Sequence, residues 1–138
     1  MKIILAFCIF IFSRYGFSQD FKVLARVNEN VITNYDLENY KEILKLYLKD
    51  FKPSDISRSE ILESYIDSVL RADGAKKEEI PFDETEFNDF VEGLESNPDF
   101  LRKKKRIKVD GDFYRRILKN EYLWNKLLLE DPTYARFC

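Results

Sequence analysis

"VNENVITNYDL", residues 27–37, changes character in its middle. Val27 to Ile32 is rich in β-branched side chains and turns around Asn28-Glu29-Asn30, where asparagine tolerates the left-handed backbone that a tight turn needs. Thr33-Asn34-Tyr35-Asp36 then has the [ST]-x-x-[DE] form of a capping box and opens a helix at once. A small hairpin feeding directly into a helix is therefore expected. Upstream, Phe21, Val23, Ala25 and Val27 alternate with Lys22, Leu24 and Arg26, as in a strand with one mainly apolar face.

Downstream the apolar period changes from two to 3.6. Leu37, Tyr40, Leu44, Tyr47, Leu48 and Phe51 form one helical face, ended by Pro53. Ser57 or Ser59 caps the next helix, with a stripe of Ile61, Leu62, Tyr65, Ile66, Val69 and Leu70. Gly74 stops or weakens it, and Lys76 to Glu79 forms its solvated end. After Ile80-Pro81-Phe82, a second capping box at Asp83-Glu84-Thr85-Glu86 opens a helix bearing Phe87, Phe90, Val91 and Leu94. Asn97-Pro98 starts another, which Asp110-Gly111-Asp112 breaks. The last helix runs from about Phe113 to Leu129, with Phe113, Ile117, Trp124, Leu127 and Leu128 inward and Tyr114, Leu118 and Tyr122 widening the face. The expected fold class is mainly α: a short N-terminal β-hairpin followed by four or five packed helices.

The first residues read differently. Lys2 precedes the apolar run Ile3 to Phe12, and Gly16-Phe17-Ser18 places small residues where a signal peptidase cuts. Ten apolar residues rise only ~15 Å as a helix, about half a bilayer core. Residues 1–18 are thus expected to be a secretory signal peptide, 19–138 one helical domain, and the location periplasmic. Of 23 basic residues, cleavage removes Lys2 and Arg14, leaving 21 against 25 acidic, a net charge of −4. That balance argues against general nucleic-acid binding. Only Cys138 remains as a thiol, so a disulfide framework within the chain is excluded, while a bridge to a second copy is not.

Histidine is absent. There is accordingly no Ser-His or Cys-His nucleophile pair and no His-ligated zinc. The acids are scattered over helices without distinguishing spacing and read as solvated surface. Gly74, Gly93 and Gly111 are isolated, so no phosphate-binding loop is expected, and no cofactor or metal.

The order of these pieces resembles the N-terminal domain of SurA-type periplasmic chaperones: Val-Asn-x-x-Val-Ile-Thr-x-x-Asp-Leu from Val27, Ile-Leu-x-x-x-Ile at 61–66, Ile80-Pro81-Phe82-Asp83-Glu84, and Val109-Asp110-Gly111 with Tyr114-Arg115-x-x-Leu118-x-x-Glu121. The resemblance implies a domain that cradles unfolded outer-membrane proteins, often at aromatic-rich segments. The family usually carries parvulin prolyl-isomerase domains, for which this sequence offers no basis, so no enzymatic activity is expected. In the family a far C-terminal segment completes this domain. Without it, apolar surface should stay open for clients or a second copy, or be covered by the tail Asp131 to Phe137.

Aromatic residues make up 15% of the chain, and Tyr40, Tyr47, Tyr65, Tyr122 and Trp124 lie on or beside apolar stripes. A phenol or indole joins a large apolar body to a polar tip, which suits a core edge and a client-binding groove equally. These five are the candidate client-binding residues. Arg102-Lys103-Lys104-Lys105-Arg106-Ile107-Lys108 reads first as a solvated helix face, and as a weak contact for acidic clients or an anionic membrane surface. The other class of function is a structural or adaptor subunit, or a shortened remnant of a longer chaperone, holding one permanent partner on the same apolar surface.

Overall fold

The computed structural model describes residues 21–48 and 54–137. The proposed signal segment, Phe51, Pro53 and Cys138 lie outside them. Strands β1 (Val23–Val27) and β2 (Asn30–Thr33) pair antiparallel across Asn28-Glu29. Asn28 takes the positive φ of 53° that such a two-residue turn requires. The register joins Ala25 to Ile32, Arg26 to Val31 and Val27 to Asn30, but slips between Val23 and Ala25. This irregularity breaks the expected alternation. Leu24 and Ala25, though neighbours, both pack against the core, while Phe21 and Val23 face solvent.

Thr33 caps helix α1 (Asn34–Tyr47) with both halves of the box formed. The Asp36 N–H donates to Thr33 Oγ1 at 3.2 Å, and the Thr33 N–H to Asp36 Oδ2 at 2.9 Å. The hairpin's start is tied to the same point, since Asn34 N–H donates to the Lys22 carbonyl and Lys22 N–H to Asn34 Oδ1. The buried face of α1 differs from the expected stripe. Leu37, Tyr40, Ile43 and Leu46 are inside; Leu44 is half-buried, and Tyr47 and Leu48 are exposed. Asn39 is buried too, its amide donating to the Tyr35 carbonyl and its Oδ1 accepting from Asp110 N–H, both at 3.0 Å.

Ser57, rather than Ser59, caps α2 (Arg58–Lys77) in a second complete box with Glu60. Its buried line is Ile61, Tyr65, Val69, Ala72 and Ala75, leaving Leu70 exposed. The helix passes through Gly74 and stops where Glu79 takes φ 56°, the Ile80 N–H returning to the Ala75 carbonyl. Helix α3 spans Glu84–Glu95, α4 Pro98–Lys104 with Asn97 capping and Pro98 first, and α5 Gly111–Glu130. Asp110 caps α5, so Gly111 and Asp112 begin that helix. At Asp83 only half a box forms. Asp83 accepts the Glu86 N–H, but the Glu86 carboxylate is engaged elsewhere.

Helix α5 is the central element, packing on α1, α2 and α3, with a 3-10 turn at Pro132–Phe137 folded against it. It buries Phe113, Tyr114, Ile117, Leu118, Tyr122, Leu123 and Leu127. Leu123 joins the expected face; Trp124 and Leu128 stay half-buried. The fold is thus mainly helical, with a short N-terminal antiparallel hairpin and five packed helices.

Candidate functional site

Helices α1, α2 and α5 meet imperfectly. Between them lies a cleft of about 270 Å³. The reason is visible in the stripes themselves: at the α5 positions facing it, Ile117, Glu121 and Trp124 follow one another at helical spacing, so a carboxylate stands where packing would need an apolar side chain. Its floor carries Tyr40, Ile43 and Ile117; its rim carries Tyr47, Arg71, Glu121 and Trp124.

Tyr40 stacks on Tyr65 with ring centroids 4.8 Å apart, and its hydroxyl lies 3.0 Å from Ser64 Oγ. Tyr47 Oη donates to Glu121 Oε2 at 2.6 Å. Burial raises the Glu121 carboxyl above its ordinary value, opposed by the Tyr47 hydrogen bond and the Arg71 charge. Burial also pushes the Tyr40 and Tyr47 phenols up, with Glu121 adding to the shift of each. Both hydroxyls therefore remain protonated donors throughout the physiological range. Arg71 lies over the Trp124 ring at 5.5 Å, and Tyr134 of the 3-10 turn meets that ring edge-on at 6.4 Å. The tail thereby covers part of the indole, as one of the sequence expectations has it, and the Tyr134 hydroxyl donates to Glu78.

Three of the five expected aromatic residues, Tyr40, Tyr47 and Trp124, are brought together here. Tyr65 is buried behind Tyr40, between it and Phe113 at 5.7 Å. Tyr122 points to the opposite side of α5, into a ring cluster with Phe82, Phe87 and Phe90. Its hydroxyl donates to Glu86 Oε2 at 2.7 Å, which Lys126 also reaches at 2.7 Å. The cleft residues that the sequence left unmarked are Ile43, Ser64, Asp67, Ser68, Arg71 and Asn120, and Glu121 stood there only within a motif, with no site role. Glu121 carried a signal, since it interrupts the apolar stripe of α5.

The basic run is divided. Arg102 pairs with Asp99, Lys104 with Glu95, and Lys103 Nζ reaches the Leu46 and Leu48 carbonyls at the C-terminal end of α1. Helix α4 ends at Lys104, so the run is not one solvated helix face. Arg106 and Lys108 are exposed beyond it.

Chemically, the cleft offers an aromatic floor of a size for a single large side chain, edged by hydroxyl donors, a guanidinium and two carboxylates. Among the described residues no cluster of acids or thiols could hold a metal ion, and no helix is long and apolar enough to cross a membrane. No family model matches this chain, and neither a curated protein nor a solved structure matches it.

Proposed function

We propose that this protein is a periplasmic chaperone-like binding protein of the SurA type, holding aromatic-rich segments of unfolded outer-membrane proteins through the cleft between α1, α2 and α5. The observation that carries the reading is the gathering of Tyr40, Tyr47 and Trp124 around one open cleft. A client aromatic ring would stack on the floor, while Arg71, Asn120 and the serine hydroxyls would meet the polar groups of an extended backbone. The signal-like segment at 1–18 and the hairpin, box and helix order support the same reading. The role is binding and release, without bond chemistry.

Light scattering of an unfolded outer-membrane protein diluted from urea, with and without this chain, tests the activity. Suppressed scattering is expected. Binding of a labelled aromatic-rich peptide, followed by anisotropy, tests the site. Tyr47→Ala with Trp124→Ala should weaken it roughly tenfold or more, whereas Glu86→Ala, on the opposite side of α5, should leave it unchanged. Unimpaired peptide binding by the folded cleft variant would reject the assignment. Mass spectrometry of the exported protein, expected to begin near Gln19, tests the location.

A further inference from the structure

A second surface lies around the start of α1, on a face of that helix distinct from the one that carries Tyr40, Ile43 and Tyr47. Phe21 is 66% exposed and Tyr35 40%, their rings in edge-to-face contact at 6.1 Å. Val23, two residues on, is also exposed. Open clefts flank this aromatic pair on both sides. One holds Lys22 and Arg58 beside Phe21; the other holds Arg106 and Lys108 beside Phe21 and Tyr35.

The ionic state of this face decides what it suits. All four of these cationic side chains are exposed, and none has a hydrogen bond or ion pair among the described residues. The nearby acids are largely engaged. Glu42 pairs with Lys45 and receives the Lys108 N–H, Asp110 caps α5, and Glu38 stands 4.0 Å from Lys41. Exposed rings among uncommitted cations, on a protein whose net charge is negative, form a local amphipathic surface. Aromatic rings settle at the headgroup level of a bilayer, and Lys and Arg beside them meet lipid phosphates. An acidic polypeptide would engage the cations but has no need of the protruding rings.

We propose that the Phe21 and Tyr35 face docks on the surface of a bilayer containing anionic phospholipid, with Lys22, Arg58, Arg106 and Lys108 meeting headgroup phosphates and the two rings entering the interface. The inference does not depend on what the α1/α2/α5 cleft binds.

Co-sedimentation of the exported, processed protein with phosphatidylcholine vesicles, with and without phosphatidylglycerol, provides the test. Binding is expected on the anionic vesicles alone and should fall as salt rises. Arg106→Gln with Lys108→Gln should lower partitioning roughly thirty-fold, at about one kilocalorie per cation. Phe21→Ala should lower it too, with the salt dependence retained. Lys76→Gln with Lys77→Gln, the same change of net charge at the end of α2, should leave it as it was. Equal binding to both vesicle types, an equal loss in the α2 control, unaltered partitioning of the Arg106/Lys108 variant, or capture of polyglutamate without vesicle binding would each overturn the proposal.

Discussion

The two sides of α5 make the same bond and reach opposite electrostatic ends. On one side Tyr122 Oη donates to Glu86 at 2.7 Å; on the other Tyr47 Oη donates to Glu121 at 2.6 Å. Glu86 lies at the surface, where Lys126 and then Tyr122 hold its carboxyl below the usual range. Glu121 is drawn into the cleft, and burial outweighs its hydrogen bond and the Arg71 charge, so its carboxyl lies above that range. The bond length is thus no guide to the state of the acid. What differs is the packing around each acid. The Glu86 side gathers rings around the buried Phe87 beneath an ion pair, whereas the Glu121 side holds its acid at the rim of a gap that the rings do not fill.

The largest expected effect sharpens the contrast between the ring cluster and the cleft. Phe87 is fully buried, flanked by Phe82 and Tyr122, with Arg115 over its ring at 4.7 Å. Phe87→Ala should lose about 3–5 kcal/mol by urea denaturation, through the methylenes removed and the cavity left. Trp124→Ala, at the half-open rim, should lose distinctly less. Equal losses would mean that the cleft is as well packed as the ring cluster.

Next come the two phenols. Tyr47→Phe removes the hydrogen bond that Glu121 receives at the rim of the cleft and should cost about 0.5–1 kcal/mol. Tyr122→Phe leaves Glu86 with Lys126 and water, and its cost should be smaller. A denaturation midpoint that moves more for Tyr122→Phe would break the comparison. Thr33→Ala, away from both regions, strands a donor at the start of α1 and should cost about 1 kcal/mol, giving a scale for the other two.

The smallest effect concerns sign. A carboxyl whose folded value is raised binds its proton more tightly folded than unfolded. Its contribution favours the fold in acid and is lost as pH rises from the ordinary carboxylate range through the folded value. Glu121→Gln, which does not titrate and still accepts from Tyr47, should therefore raise the melting temperature at neutral pH and lose that gain in acid. For Glu86 the lowered value reverses the argument: its contribution is present at neutral pH and is lost as pH falls through the folded value. Thermal melts of the two Gln variants at both ends of that range should diverge. Parallel curves would show that the two acids share one environment.

Legibility in the sequence followed the range of the interaction. The Thr33 box, the Asn97-Pro98 start and the Asn28 turn depend on partners within a few residues and were readable, and the α2 cap was narrowed to Ser57 or Ser59. The buried face of α1 was not. Apolar side chains at 37, 40, 43, 44, 46, 47 and 48 surround much of that helix, and the choice of Ile43 and Leu46 over Leu44 and Tyr47 is made by its neighbours. The half-formed box at Asp83 fails for a similar reason, because Glu86 is taken by Tyr122 and Lys126, 36 and 40 residues away. Of the candidate site, the aromatic members Tyr40, Tyr47 and Trp124 were visible as residue types. That Tyr65 and Tyr122 belong elsewhere depends on which side of α5 each neighbouring helix occupies, and periodicity carries no such information.

Asn39 sets a condition on assembly. Its Oδ1 accepts from the Asp110 N–H, a closure of 71 residues, and burial of the Asn39 amide is favourable only once that partner has arrived. A chain made from its N-terminus cannot complete α1 early, since α1 and α2 are both covered by α5. The Tyr40 and Tyr65 rings can stack on each other once α2 is made, but Phe113 reaches Tyr65 only with α5. Most contacts in this fold are local, so the Asn39 closure belongs to the minority of long-range contacts that must wait for the start of α5 to arrive.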